Sequence, residues 1–170
     1  MRTNLTLEDQ RELLDRAIVA VLATYRADGA VLLSPVWHEF RDGGFNVWVF
    51  ADTVKVRHVR RDPRASIVVA ESEEPYRGVE VRTRASLVSE GATRTAHRIA
   101  GRYLGPEAGA AYVGPESDQN VIIRLEPGDV RGGFRRGRRR EPDLKPNVPS
   151  AQRPSAKWPW WLRTTSSVRA

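Results

Sequence analysis

Two Asp-Gly turns constrain this chain more than any other feature. Ala27-Asp28-Gly29 and Asp42-Gly43-Gly44 each follow a strand-length stretch and precede another. Asp-Gly tolerates the positive φ that a tight hairpin requires. The chain from Ile18 to Tyr25, Ala30 to Phe40 and Phe45 to Ala51 is therefore expected to form three consecutive strands. Two tight turns in succession make them an antiparallel meander. The third strand alternates, with Phe45, Val47, Val49 and Ala51 against Asn46, Trp48 and Phe50.

The rest of the pattern agrees. Thr6-Leu7-Glu8-Asp9 reads as a capped helix start, and apolar spacing predicts a first helix over about residues 7–16. A short helix is expected from Thr53 to Arg61, stopped by Asp62-Pro63. Ala65 to Ala70 forms a fourth strand. Val79 to Val88 forms a fifth, with Val79, Val81, Thr83, Ala85 and Leu87 on its buried face. Thr93 to Leu104 predicts an amphipathic helix closed by Gly105-Pro106. Glu107 to Asp118, rich in Gly, Ala and Pro, reads as a loop before a sixth strand at Val121 to Leu125. The fold class is mainly β with α: a six-stranded antiparallel barrel with two or three helices at its ends.

Charge is unevenly placed. The whole chain carries +7, but residues 1–130 hold 17 basic and 19 acidic groups. Residues 131–170 hold 11 basic and 2 acidic groups, with Arg135-Arg136-Gly137-Arg138-Arg139-Arg140 and repeated prolines. The organisation expected is a folded domain over 1–130 and an extended basic tail over 131–170. The near-neutral body argues against a folded nucleic-acid-binding face. With no cysteine, thiolate metal sites, disulfides and cysteine nucleophiles are excluded. His38, His58 and His97 show no metal-ligand spacing, so no metal is expected. No apolar run reaches the ~18–20 residues of a spanning helix and no secretory signal opens the chain, which fits a cytoplasmic protein.

Two segments carry chemistry. Ser34-Pro35-Val36-Trp37 places a proline inside a strand, where it marks an edge or a bulge. Backbone groups beside it are then available to the hydrogen-bonding edge of a flavin ring; the plainer alternative is an edge bulge with Trp37 in the core. Asp52-Thr53-Val54-Lys55-Val56-Arg57 lies where a strand passes into a helix. Helix-start amides, a hydroxyl and two cations make a phosphate site. The alternative is a solvated basic face, continued by Arg60, Arg61 and Arg64. His38 reads as a strand histidine satisfied by a neighbour, and His97 as a solvated helix residue. No residue stands out as a dedicated acid or base.

These segments, with Leu22-Ala23-Thr24, Asp28-Gly29, Arg60-Arg61-Asp62-Pro63-Arg64 and Tyr76-Arg77-Gly78-Val79-Glu80-Val81, resemble the pyridoxamine 5′-phosphate oxidase-like superfamily. More narrowly, they resemble its split β-barrel branch of deazaflavin (coenzyme F-420)-dependent oxidoreductases. The resemblance covers about residues 7–130. It implies an FMN-binding-type split barrel and a homodimer with the cofactor in a groove between subunits. It implies that Ser34, Pro35, Val36 and Trp37 meet the ring through backbone atoms. Ala51, Thr53, Lys55 and Arg57 would hold the phosphate, with Arg82 as a further candidate. The chain departs from the family where many members have glycine before the threonine, here Asp52, and Asn-Leu, here His58-Val59.

The activity implied is hydride transfer from reduced coenzyme F-420 to a conjugated or quinone-like small molecule, of the CH-CH donor class. An FMN-binding oxidoreductase on the same fold is the alternative. A flavin- or haem-holding carrier or sensor without turnover is the rival from another class.

Overall fold

Both Asp-Gly turns form hairpins. At the second, Asp42 and Gly43 take φ of 51° and 73°, the paired positive values that match strand twist. The computed structural model describes residues 6–133, Pro75 excepted. A 3-10 turn at Glu8–Gln10 leads into α1 (Arg11–Leu14), then β1 (Ala20–Tyr25), β2 (Val31–Val36), β3 (His38–Arg41) and β4 (Gly44–Phe50). There follow α2 (Val54–Arg61), β5 (Arg64–Ala70), β6 (Gly78–Val88), α3 (Ala92–Leu104), α4 (Pro106–Val113), β7 (Asn120–Leu125) and β8 (Asp129–Gly133).

Among the described residues there are eight strands where the sequence suggests six. One extra strand comes from a break at Trp37, which divides the expected strand from Ala30 to Phe40 into β2 and β3. The other is β8, which carries pairing to Gly133, past the expected boundary at 130. The basic segment from residue 134 onward lies outside the described residues, and so does the expectation of an extended tail.

The sheet runs β2-β1-β5-β6-β7-β4-β3, with β8 also on β6, and every ladder is antiparallel. The expected three-strand meander does not form: β2 pairs with β1 and β3 with β4, and the two stand at opposite ends of this order although only Trp37 separates them. The sheet therefore curls until its two edges meet at that residue, and the result is a split barrel. β6 is shared between the halves: residues 78–84 pair with β5 and residues 85–88 with β7.

The barrel interior takes alternate residues from each strand, among them Leu22, Phe45, Val47, Ile67, Val69, Val81, Ile123 and Leu125, with Val56 from α2. Strand periodicity decides which residues go in. Removing the Phe45 ring from this interior would cost about 3–5 kcal/mol.

α3 packs outside β7, β4 and β3, tied by Arg98 to the buried Glu39 carboxylate at 2.7 Å. α4 corrects the loop expected over residues 107–118. Pro106 at the first helical position suits a helix start. Gly109 is there because a Cβ would lie 2.5 Å from the Gly101 backbone nitrogen, so small residues let α4 press against α3. His97 is not solvated either: its Nε2 sits 2.7 Å from the Gly114 carbonyl and joins α3 to the end of α4. Among the described residues, no helix is long and apolar enough to cross a membrane.

Candidate functional site

β4 ends at Phe50, and Ala51-Asp52-Thr53 turns the chain into α2. The Ala51 amide donates to the Gln119 carbonyl (2.8 Å) and the Thr53 amide to the Phe50 carbonyl (3.1 Å). Thr53 occupies the N-cap with extended backbone, φ −68° and ψ 150°. An N-cap threonine ordinarily turns its hydroxyl onto a first-turn amide. Here it makes no such bond, and Thr53 Oγ1 is buried without a hydrogen-bond partner among the described residues. The amides of Val54 and Lys55 open the helix with no carbonyl ahead of them.

Lys55 is half-buried, and burial lowers its pKa. No carboxylate among the described residues pairs with it. A desolvated cation without a partner is unfavourable, so this residue does not belong to a solvated basic face. Arg57 and Arg60 are exposed. Arg57 reaches back to the Asp52 carbonyl oxygen at 3.4 Å, not to its carboxylate. Arg61 donates to the Tyr25 carbonyl, and Arg64 is paired with Asp62. α2 is anchored from beneath by buried His58, whose Nδ1 lies 3.0 Å from Thr24 Oγ1 on β1. Burial, then the surrounding arginines, lowers the His58 pKa.

The second segment lies at the β2–β3 break. Ser34 and Val36 face inward and Pro35 outward, opposite Val21 of β1. β2 is the outer strand of the sheet, so a prolyl nitrogen is tolerated and one backbone edge stays unpaired. The Trp37 ring stacks on Tyr103 with centroids 5.0 Å apart and planes 10° from parallel. The Tyr103 hydroxyl accepts from the His38 amide (3.2 Å) and donates to the Ile18 carbonyl (2.9 Å).

His38 departs from expectation. It is fully buried against Phe45, and neither ring nitrogen has a hydrogen-bond partner among the described residues. Burial pulls its pKa down to about 4; the Arg102 charge acts the same way, and the Ile18 carbonyl and Glu39 push back.

A row of rings joins the two segments. Trp37, Tyr112, Trp48 and Phe50 follow one another at centroid separations of 5.4, 5.8 and 5.3 Å. The row starts in the first segment and ends one residue before Ala51. Trp48 is fixed by its Nε1 donating to Asn120 Oδ1 at 2.9 Å, and Asn120 in turn donates to Thr93 Oγ1. Arg82 is placed differently. It lies exposed on β6 with its Nε 2.7 Å from the Glu80 carboxylate, so its charge already has a partner. Sequence reasoning missed Tyr103, Tyr112 and Asn120. Tyr112 was hidden in a stretch that reads as loop, and the others act through partners distant in the chain. Two open grooves, of about 680 and 510 Å³, line the barrel near Phe40 and include no residue of either segment.

The family model for pyridoxamine 5′-phosphate oxidase matches residues 6–132. The chain belongs to this family. Solved structures share its fold. A conserved hypothetical protein from Mycobacterium tuberculosis superposes with a TM-score of 0.67 at 23% identity, over 78% of this chain and 86% of that one. An F420 reductase gives 0.63 at 24% identity, over 71% and 94%. The heme storage protein of Vibrio cholerae gives 0.59 at 20% identity, over 79% and 98%. At these identities the likeness shows the fold alone. No curated protein matches the chain.

Proposed function

We propose that this family member is an oxidoreductase that binds coenzyme F-420 and transfers hydride from its reduced form to a conjugated or quinone-like small molecule. The observation that carries the reading is the α2 turn. Thr53 Oγ1, two helix-start amides and Lys55 all lack the partner that a phosphate supplies. A phosphate there would satisfy a buried hydroxyl, neutralise a desolvated cation and meet the positive end of a helix. Arg57 would exchange the Asp52 carbonyl for a phosphate oxygen. Ser34 to Trp37 would meet the ring through main-chain groups, and the aromatic row, its rings set at 54–89° to one another, would line the way between ring and tail with apolar surface. When bound, the deazaflavin supplies the hydride chemistry. The chain holds the phosphate, orients the ring and excludes water, so no dedicated acid or base is required.

FMN also carries a tail phosphate, so an FMN-dependent oxidoreductase is the second reading of the same turn. A carrier or sensor without turnover is a third, favoured if cofactor binds and no acceptor is reduced. Absorbance titration with F-420 and with FMN, followed by addition of a quinone, separates the three. Failure to bind either cofactor would overturn the assignment.

The reading includes a homodimer. Val21, Val31, Leu33 and Val68 stand exposed on the outer faces of β1, β2 and β5, and the register puts Val21 between Pro35 and Val68. A second copy laid over this face would cover both the apolar side chains and the open edge of β2. Light scattering at micromolar concentration tests this; a stable monomer would sink it.

A further inference from the structure

We propose that Tyr103 is the positioning residue that sets the main chain at Trp37 for the cofactor ring. The inference rests on the reading of Ser34 to Trp37 as the ring contact. The sheet has a gap at Trp37. The β1–β2 ladder ends at Val36 and the β3–β4 ladder begins at His38, so Trp37 belongs to neither. The backbone at the break needs another support.

Tyr103, in the last turn of α3, supplies it in three ways. Its hydroxyl accepts from the His38 amide on one side of the break, at 3.2 Å. The same hydroxyl donates to the Ile18 carbonyl ahead of β1, at 2.9 Å. Its ring lies flat against Trp37 itself. One side chain thus ties the break to the approach of its neighbouring strand. The two roles of the hydroxyl require its proton, and burial raises the Tyr103 pKa above the ordinary tyrosine value. The end of α3 is itself held, because Arg102 donates to the Leu14 and Arg16 carbonyls at 3.1 and 2.9 Å. Losing the hydroxyl would strand the His38 amide and let the break relax. The α2 turn would not feel this, since His58 and Thr24 anchor it separately.

Binding to phosphate-bearing and phosphate-free chromophores tests the proposal. The pairs are FMN with riboflavin, and F-420 with its deazaflavin core bearing an unphosphorylated ribityl tail. Tyr103→Phe keeps the stack and removes the hydroxyl. It is expected to weaken both members of a pair by the same factor, about five- to tenfold, and to shift the bound chromophore's absorbance band. Lys55→Ala in parallel should weaken only the phosphate-bearing member. Tyr103→Leu, which also removes the stack, should weaken binding further, and if it fails to fold the phenylalanine variant still decides. Unchanged affinities and spectra in Tyr103→Phe would overturn the proposal, as would a loss confined to the phosphate-bearing member. If wild type binds none of the four compounds, the proposed function falls and takes this inference with it.

Discussion

The two ends of the aromatic row are built on opposite principles. At the β2–β3 break the backbone bonds are closed by Tyr103 and the Trp37 ring is packed between tyrosines. At the α2 turn a buried hydroxyl, two amides and a half-buried lysine are left open. An unsatisfied buried polar group costs about 1–3 kcal/mol, so a fold keeps one where something else provides the partner. The break is closed by its own residues and the turn is not. His38 is the instructive exception at the closed end. Its ring also lacks a hydrogen bond of good geometry among the described residues, but with a pKa near 4 it is neutral at pH 7 and packs on Phe45 in the core.

The largest expected effect sharpens that exception. In the folded protein the His38 pKa is about 4, against 6.5 for the free side chain. Below pH 6.5 the unfolded chain takes up a proton that the native ring refuses. Its contribution is therefore absent above about pH 6.5 and destabilising as pH falls to about 4, by about 3 kcal/mol in total. Urea melts of wild type and His38→Leu across this window should show a shallower pH slope in the variant. Equal slopes would mean that the imidazole protonates freely in the native state.

Lys55→Ala comes next. It is expected to weaken binding of a phosphate-bearing cofactor about ten- to a hundredfold, the worth of a charge-assisted hydrogen bond, with no loss of stability. Isothermal titration that found equal affinities would return Lys55 to the basic face and erase the contrast between the two ends. Thr53→Val is a smaller and two-sided test. Without cofactor it should raise stability by about 1 kcal/mol, because it deletes a buried hydroxyl that has no partner. With cofactor it should bind several-fold more weakly. A drop in the melting temperature of the cofactor-free variant would show that the hydroxyl is satisfied after all. Arg82→Gln should do least. An exposed ion pair is worth about 0–1 kcal/mol and this one already uses the arginine charge. A loss of affinity as large as that of Lys55→Ala would bring Arg82 back into the site.

How much of this was legible depends on how local each cause is. The hairpins at Asp28-Gly29 and Asp42-Gly43, the buried face of β6 and the edge position of Pro35 all follow from short-range rules of turn chemistry, period and missing donors. The α2 turn was legible as a collection of residue types. The burial of Lys55 and the idle hydroxyl of Thr53 were not, because both depend on what packs around the turn. α4 read as loop because Gly109 and its alanines look like linker composition, although Gly109 is small to let two helices touch. The expected strand from Ala30 to Phe40 hid its own break. Nothing in that run says that its first half pairs with β1 and its second with β4.

By itself the sequence determined the two Asp-Gly hairpins, the faces of the strands, the family they resemble and the residue types gathered in two segments. These are properties of neighbouring residues, set by φ preference, side-chain period and charge. Only the tertiary structure decided that the sheet closes at Trp37, that Tyr103 and Tyr112 pack on that residue, and that Arg82 is already paired. It also left Thr53 and Lys55 without partners. Closure, burial and partnership arise between residues far apart in the chain, where a buried polar group must find a partner or go without, and no local pattern records which.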